Sequence, residues 1–184
     1  KQSNRTDMIV TGGHLQVPAC CLSAAGNAVS GKGRQRIMTE TKDYVRKVQY
    51  YETDRMGIVH HSNYIRWMEE ARTDVLEQIG LPYDKIERAG ILIPVLGVSC
   101  DYRISFRYSE VFRVKVIPEK FNGIKMSLRY EIYGQEDGKL HAAGETSHCF
   151  LDRKMKPVHM KRDYPEIYSR LTEYMGVKEE EESL

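Results

Sequence analysis

The sequence of 184 residues predicts an α+β domain in which an antiparallel sheet packs against one long helix. Two observations carry that expectation. Residues 63–79 hold a single apolar stripe with the period of a buried helix face. Beyond residue 98 the chain alternates apolar and polar residues in short runs, broken by Asn-Gly and Asp-Gly turns. The length suits one domain with a full core.

Taken in order, Tyr44 to Tyr51 is rich in β-formers and reads as a first strand, ending at the turn Glu52-Thr53-Asp54. In the helix, Tyr64, Met68, Ala71, Val75 and Ile79 form the stripe, and Ile65, Trp67 and Leu76 widen it. Ser62 or Asn63 is placed to cap its start, and Gly80 with Pro82 to stop it. A linker containing Gly90 follows. Val98, Cys100, Tyr102, Ile104 and Phe106 then alternate with Ser99, Asp101, Arg103, Ser105 and Arg107, predicting a strand over 98–107. Phe112, Val114 and Val116 give another strand, and Met126, Leu128, Tyr130 and Ile132 a third. Asn122-Gly123 and Asp137-Gly138 supply the hairpin turns, and a last strand runs from about Leu140 to Leu151. Tyr164 to Met175 reads as a short helix, followed by a solvated acidic tail at Glu179–Glu182. One helix covers one face of a sheet, so the other face is left to solvent or to another subunit, and an oligomer is expected.

The first 37 residues differ from the rest. They are rich in Gly, Ser, Asn and Ala, show no apolar periodicity, and carry a charge of +4 out of a total of +2. The body is therefore mildly acidic, at −2, and offers no electrostatic footprint for nucleic acid. Met38 resembles a natural initiator, so residues 1–37 are read as added or upstream-translated sequence that is disordered, with a transit peptide as the rival reading. Residues 38–184 are read as the single domain. No stretch nears the roughly 18–20 apolar residues of a membrane span. Cys20, Cys21, Cys100 and Cys149 show neither zinc-ligand nor redox spacing. Idle reduced thiols and a cytoplasmic location are expected, with no metal and no cofactor.

The chemistry concentrates in Tyr51 to Arg72, YETDRMGIVHHSNYIRWMEEAR. A carboxylate, Asp54, sits in a Gly-containing turn, and His60-His61 stand at the doorway of the helix. A helix start presents unpaired backbone N–H groups and the positive end of the dipole, and a nearby acid can serve as general base or nucleophile. Each part also has a plainer reading. An Asp after Thr often forms a turn, paired histidines in a loop often bond water or backbone, and Glu69 with Arg72 is an ordinary i,i+3 pair.

Thr53-Asp54, Gly57, Val59, His60-His61, Tyr64, Glu69 and Ala71-Arg72 resemble, in order and spacing, the signature of the 4-hydroxybenzoyl-CoA thioesterase branch of the hotdog-fold acyl-CoA thioesterases, most nearly its YbgC/FadM-like members. The resemblance spans about residues 44–153. It implies a hotdog fold, a sheet wrapped around one central helix, and hydrolysis of an acyl-CoA thioester to free acid and coenzyme A. It carries the catalytic carboxylate onto Asp54 and the carbonyl-polarising backbone amide onto His61. Gly57, Val59, His60 and Tyr64 fall on the substrate side. A homodimer or homotetramer is implied, with acyl-CoA, or an acyl carrier protein, as the partner. A hotdog hydratase or dehydratase, and a non-catalytic acyl-CoA or acyl-carrier binding module, remain alternatives. The linear sequence does not report the acyl chain.

Overall fold

The computed structural model describes residues 40–176, so the readings placed on residues 1–37 and on Glu179–Glu182 lie outside the described residues. Five strands, β1 (Tyr44–Lys47), β2 (Val95–Tyr102), β3 (Val111–Phe121), β4 (Lys125–Gly134) and β5 (Leu140–Cys149), form one sheet in the order β1-β3-β4-β5-β2. Every neighbouring pair is antiparallel. The long helix α1 (Ser62–Gln78) lies on one face of the sheet. Three short helices, α2 (Tyr83–Arg88), α3 (Met160–Asp163) and α4 (Pro165–Met175), complete the described part.

The alternation in the sequence places the core. Val114 and Ile132 are partners, as are Val116 and Tyr130, and Ile132 and Ala142, so their side chains share the face that receives Trp67, Met68, Ala71, Val75 and Leu76 of α1. All of these are buried. Fully burying one large apolar side chain is worth roughly 1.5–3 kcal/mol, so this interface is a large source of stability. Gly144 marks the closest approach of helix to sheet: a Cβ there would meet the tip of Met68 and lie 2.6 Å from the Ser99 carbonyl. Trp67 stacks on Phe112 with ring centroids 4.0 Å apart.

Three sequence readings need correction. The first strand ends at Lys47, because Tyr50–Glu52 turn as a 3-10 helix that exposes both tyrosines and buries Glu52. The stretch before Gly90 is not all linker: Tyr83–Arg88 is helical and anchors on Ile86. β2 starts at Val95 and stops at Tyr102, because Arg103 and Ile104 both donate their amides to the His141 carbonyl, which ends the ladder. Arg103 and Arg107 are therefore loop residues, and Phe106 turns inward to 1% exposure. Arg72 makes the expected i,i+3 pair with Glu69, from a buried position. It is 4% exposed, 3.9 Å from Glu69, and 5.7 Å from the centre of the Tyr83 ring.

The two faces and two edges of the sheet differ in character. The face away from α1 is polar and internally paired: Arg113 bonds Asp43, and Arg129 bonds both Glu119 and Glu131. Exposed apolar surface instead collects on β2 and just beyond it, at Val95, Leu96, Val98, Tyr102 and Ile104. β2 pairs only with β5 and lies at the sheet edge, so its alternation produces no buried face.

His148 on β5 is fully buried, and burial first, then the nearby Arg72 charge, push its pKa down to about 4 from an ordinary 6.5. The folded state thus holds the neutral imidazole while the unfolded chain takes up a proton near pH 6.5. Stability contributed by this group is full above about pH 6.5 and is lost as pH falls toward 4, an effect of about 3 kcal/mol. Chemical denaturation of the wild type and of His148→Gln at pH 7 and pH 4.5 checks this. The variant should show a shallower fall in stability on acidification.

Candidate active site

Residues 53–59 form a tight hairpin closed by the Thr53–Val59 bridge. Asp54 donates its amide to Ile58 O at 2.9 Å, and its carbonyl accepts Gly57 N at 3.0 Å. Gly57 has φ +73 with open space around its Cα, so its contribution is the left-handed backbone and not a close approach. Asp54 Oδ1 accepts the Met56 amide at 2.8 Å, which fixes the carboxyl plane. Oδ2 has no hydrogen-bond partner among the described residues.

Helix α1 begins without a side-chain cap. His61 occupies the N-cap position with φ −52 and ψ −33, and no acidic residue stands in the first turn. His60 supplies the partial substitute: its carbonyl accepts Asn63 N at 3.0 Å, and its Nδ1 accepts Ser62 N at 3.4 Å and lies 2.9 Å from Ser62 Oγ. Neither predicted cap acts through its side chain, since Asn63 is buried and donates Nδ2 to Glu52 O at 2.8 Å. The His61 amide donates to no acceptor among the described residues. Its carbonyl accepts the Tyr102 hydroxyl at 3.2 Å.

One cavity of about 210 Å³ joins these groups. Asp54, His61, Val59, Tyr64, Tyr102 and Arg103 line it, together with residues of the adjoining loops. Of the residues singled out from sequence, Asp54, His61, Val59 and Tyr64 meet there. Gly57 and His60 do not form its wall. Gly57 shapes the turn that holds Asp54, and the His60 ring folds back on Ser62 and lies 4.1 Å from the His61 ring. Tyr64 is 3% exposed and accepts the Phe106 amide at 3.3 Å, so it belongs to both core and cavity wall. The Phe106 carbonyl in turn accepts Val59 N at 2.8 Å, which ties the 103–106 loop to the Asp54 hairpin.

The electrostatics are simple. Burial, and then the hydrogen bond with Cys100, push Tyr102 up to about 12, so its hydroxyl stays a donor. Burial also raises Cys100, which keeps it a thiol and removes it as a nucleophile beside the cavity. Among the described residues no group of three His, Cys, Asp or Glu side chains is placed to hold a metal ion. No described helix is long and apolar enough to cross a membrane.

Sequence reasoning missed Tyr102 and the 103–106 loop. Tyr102 looked like a strand residue of the buried face, and nothing local signals that its hydroxyl reaches a residue 41 positions earlier.

Known proteins place this geometry. Residues 48–171 match the family model of the thioesterase-like superfamily. The chain is 36% identical over 124 residues to YneP of Bacillus subtilis, named provisionally as an acyl-CoA thioesterase, covering 67% of this chain and 89% of that one. Among solved structures, DHNA-CoA thioesterase from Staphylococcus aureus superposes with a TM-score of 0.66 at 33% identity, covering 71% of this chain and 89% of that one. A protein from Aquifex aeolicus gives a TM-score of 0.64 at 34% identity, covering 69% and 98%. The sheet wrapped on α1 is thus the hotdog fold, and the chain belongs to the thioesterase-like superfamily.

Proposed function

We propose that the protein hydrolyses acyl-CoA thioesters to free acid and coenzyme A at the cavity shared by Asp54 and the start of α1. The observation that carries this reading is the pairing of two uncommitted groups. Asp54 keeps one carboxylate oxygen free, and the His61 amide keeps its hydrogen free, on the wall of one cavity. Thioester hydrolysis uses both. The carboxylate takes a proton from the attacking water, or attacks the carbonyl itself. The amide, at the positive end of a 17-residue helix, meets the negative charge that develops on the carbonyl oxygen. The C–S bond then breaks, and the thiolate of coenzyme A leaves without needing a strong general acid. Kinship with a DHNA-CoA thioesterase supports this class of substrate. Thiol release from a panel of short-chain, long-chain and aromatic acyl-CoAs tests it. At least one member should turn over, and no release from any would overturn the reading.

We also propose that the protein assembles through the exposed edge. β2 is paired with β5 on one side only, so its outer edge has no strand partner among the described residues and carries exposed apolar side chains, an arrangement that proteins rarely leave open. A second copy pairing along this edge covers it, and the ion-paired outer face needs no cover. We expect Val98→Glu, at a position 44% exposed, to shift the protein from dimer or larger toward monomer in light scattering without unfolding it. An unchanged mass would place the interface elsewhere.

A further inference from the structure

We propose that Glu52 is a positioning residue for the hydrolysis, setting the separation between the Asp54 turn and the amide at the start of α1. The inference rests on the reading of the cavity as a thioesterase site. Glu52 is 2% exposed, and each of its three oxygens is occupied. Its Oε1 accepts Trp67 Nε1 at 2.9 Å from inside α1 and lies 3.1 Å from Arg46 NH2 on β1. Its Oε2 accepts Gln49 N at 2.7 Å. Its carbonyl oxygen accepts both the His60 amide and Asn63 Nδ2, each at 2.8 Å. One residue thereby grips the strand before the site, the turn that leads into Asp54, the two sides of His61, and the second turn of the helix.

The position of Glu52 in the chain gives that grip its meaning. It stands two residues before Asp54, and its carbonyl holds His60 and Asn63, which flank His61 and Ser62. Displacing Glu52 shifts the carboxylate and the amide relative to each other. The polar contacts of Glu52 among the described residues reach none of the residues that line the cavity. Arg46 is anchored independently by Glu70 at 2.6 Å, so the clamp itself rests on a fixed support. A misplacement of about 1 Å in such a pair is enough to cost on the order of 100-fold in rate.

The test uses Glu52→Gln and Trp67→Phe in the full-length protein. Glutamine keeps the shape of Glu52, but removes the charge facing Arg46 and sets an NH2 group against at least one of the three donor groups that the carboxylate now meets, Trp67 Nε1, Arg46 NH2 and Gln49 N. Phenylalanine removes the indole donor, together with some buried ring volume, and keeps a ring against Phe112. For Glu52→Gln we expect kcat to fall by on the order of 100-fold with KM changed by less than roughly threefold. Trp67→Phe should show the same split to a smaller extent. Hydrogen exchange at the His60 amide should rise by about tenfold in Glu52→Gln, while the amides of β3 and β4 keep their protection. Unchanged kcat in both variants would overturn the proposal. So would a loss of kcat that matches a loss of folded protein, with protection falling across the whole sheet. If the wild type hydrolyses no acyl-CoA at all, the thioesterase reading falls instead. The exchange at His60 then decides by itself whether Glu52 holds the turn to the helix.

Discussion

Asp54→Asn should lower kcat for acyl-CoA hydrolysis by roughly 100- to 10,000-fold, the range expected when a general base is removed. The substitution is well suited to the question because the side chain has two separable duties. Oδ1 holds the hairpin through the Met56 amide, and asparagine retains an oxygen for that bond. The other oxygen has no structural partner among the described residues, so its replacement by an amide nitrogen disturbs the chemistry and spares the turn. The melting temperature should therefore change little while turnover collapses. Turnover preserved in the variant would remove Asp54 from the mechanism. A single turnover in oxygen-18 water separates its two possible duties. A general base delivers the label to the product acid in the first turnover, whereas a nucleophile delivers an unlabelled aspartate oxygen first when water attacks the aspartyl carbonyl.

The second large effect concerns an atom that side-chain replacement does not ordinarily reach. His61 has φ −52, close to the value that proline imposes, and its amide makes no hydrogen bond within the described residues. Proline is also well tolerated at the opening of helices. His61→Pro therefore deletes the N–H with little structural penalty, and His61→Ala deletes only the imidazole. Comparing the two isolates the amide. The proline variant should be slower than the alanine variant by a further ~100-fold, about 3 kcal/mol of transition-state stabilisation. Circular dichroism and thermal melting check that both fold. Equal rates for the two variants would show that the amide is not the oxyanion donor.

Much of this was legible in the sequence, for reasons that differ between elements. The helix stripe and the alternation of β3 and β4 match their buried faces, and both hairpin turns fell where Asn-Gly and Asp-Gly stood. Asp54, Val59, His61 and Tyr64 were legible because a local run of sequence builds them into one turn and one helix start. What escaped is non-local. Tyr102, Phe106 and His141 join the site through backbone groups far away in the chain, and a hydrogen bond to a carbonyl leaves no mark on composition. β2 misled for a related reason. Alternation says that a strand has two kinds of face, and it does not say whether anything covers either one. Glu52 was visible as the acid before Thr53, yet only its burial separates it from an ordinary turn residue.

The uncapped start of α1 has a thermodynamic consequence. A Ser, Thr, Asp or Asn side chain accepting an early amide is worth about 1 kcal/mol, and an acid in the first turn adds several tenths more. This helix takes neither, although Ser62 and Asn63 stand one and two residues past the cap. Asparagine is instead drawn inward to Glu52, and histidine occupies the place of a good cap. The fold thus forgoes stability at the terminus that carries the His61 amide, the donor in the proposed hydrolysis. Substitutions that place an acceptor on the His61 amide should therefore cost turnover even where they stabilise the helix start.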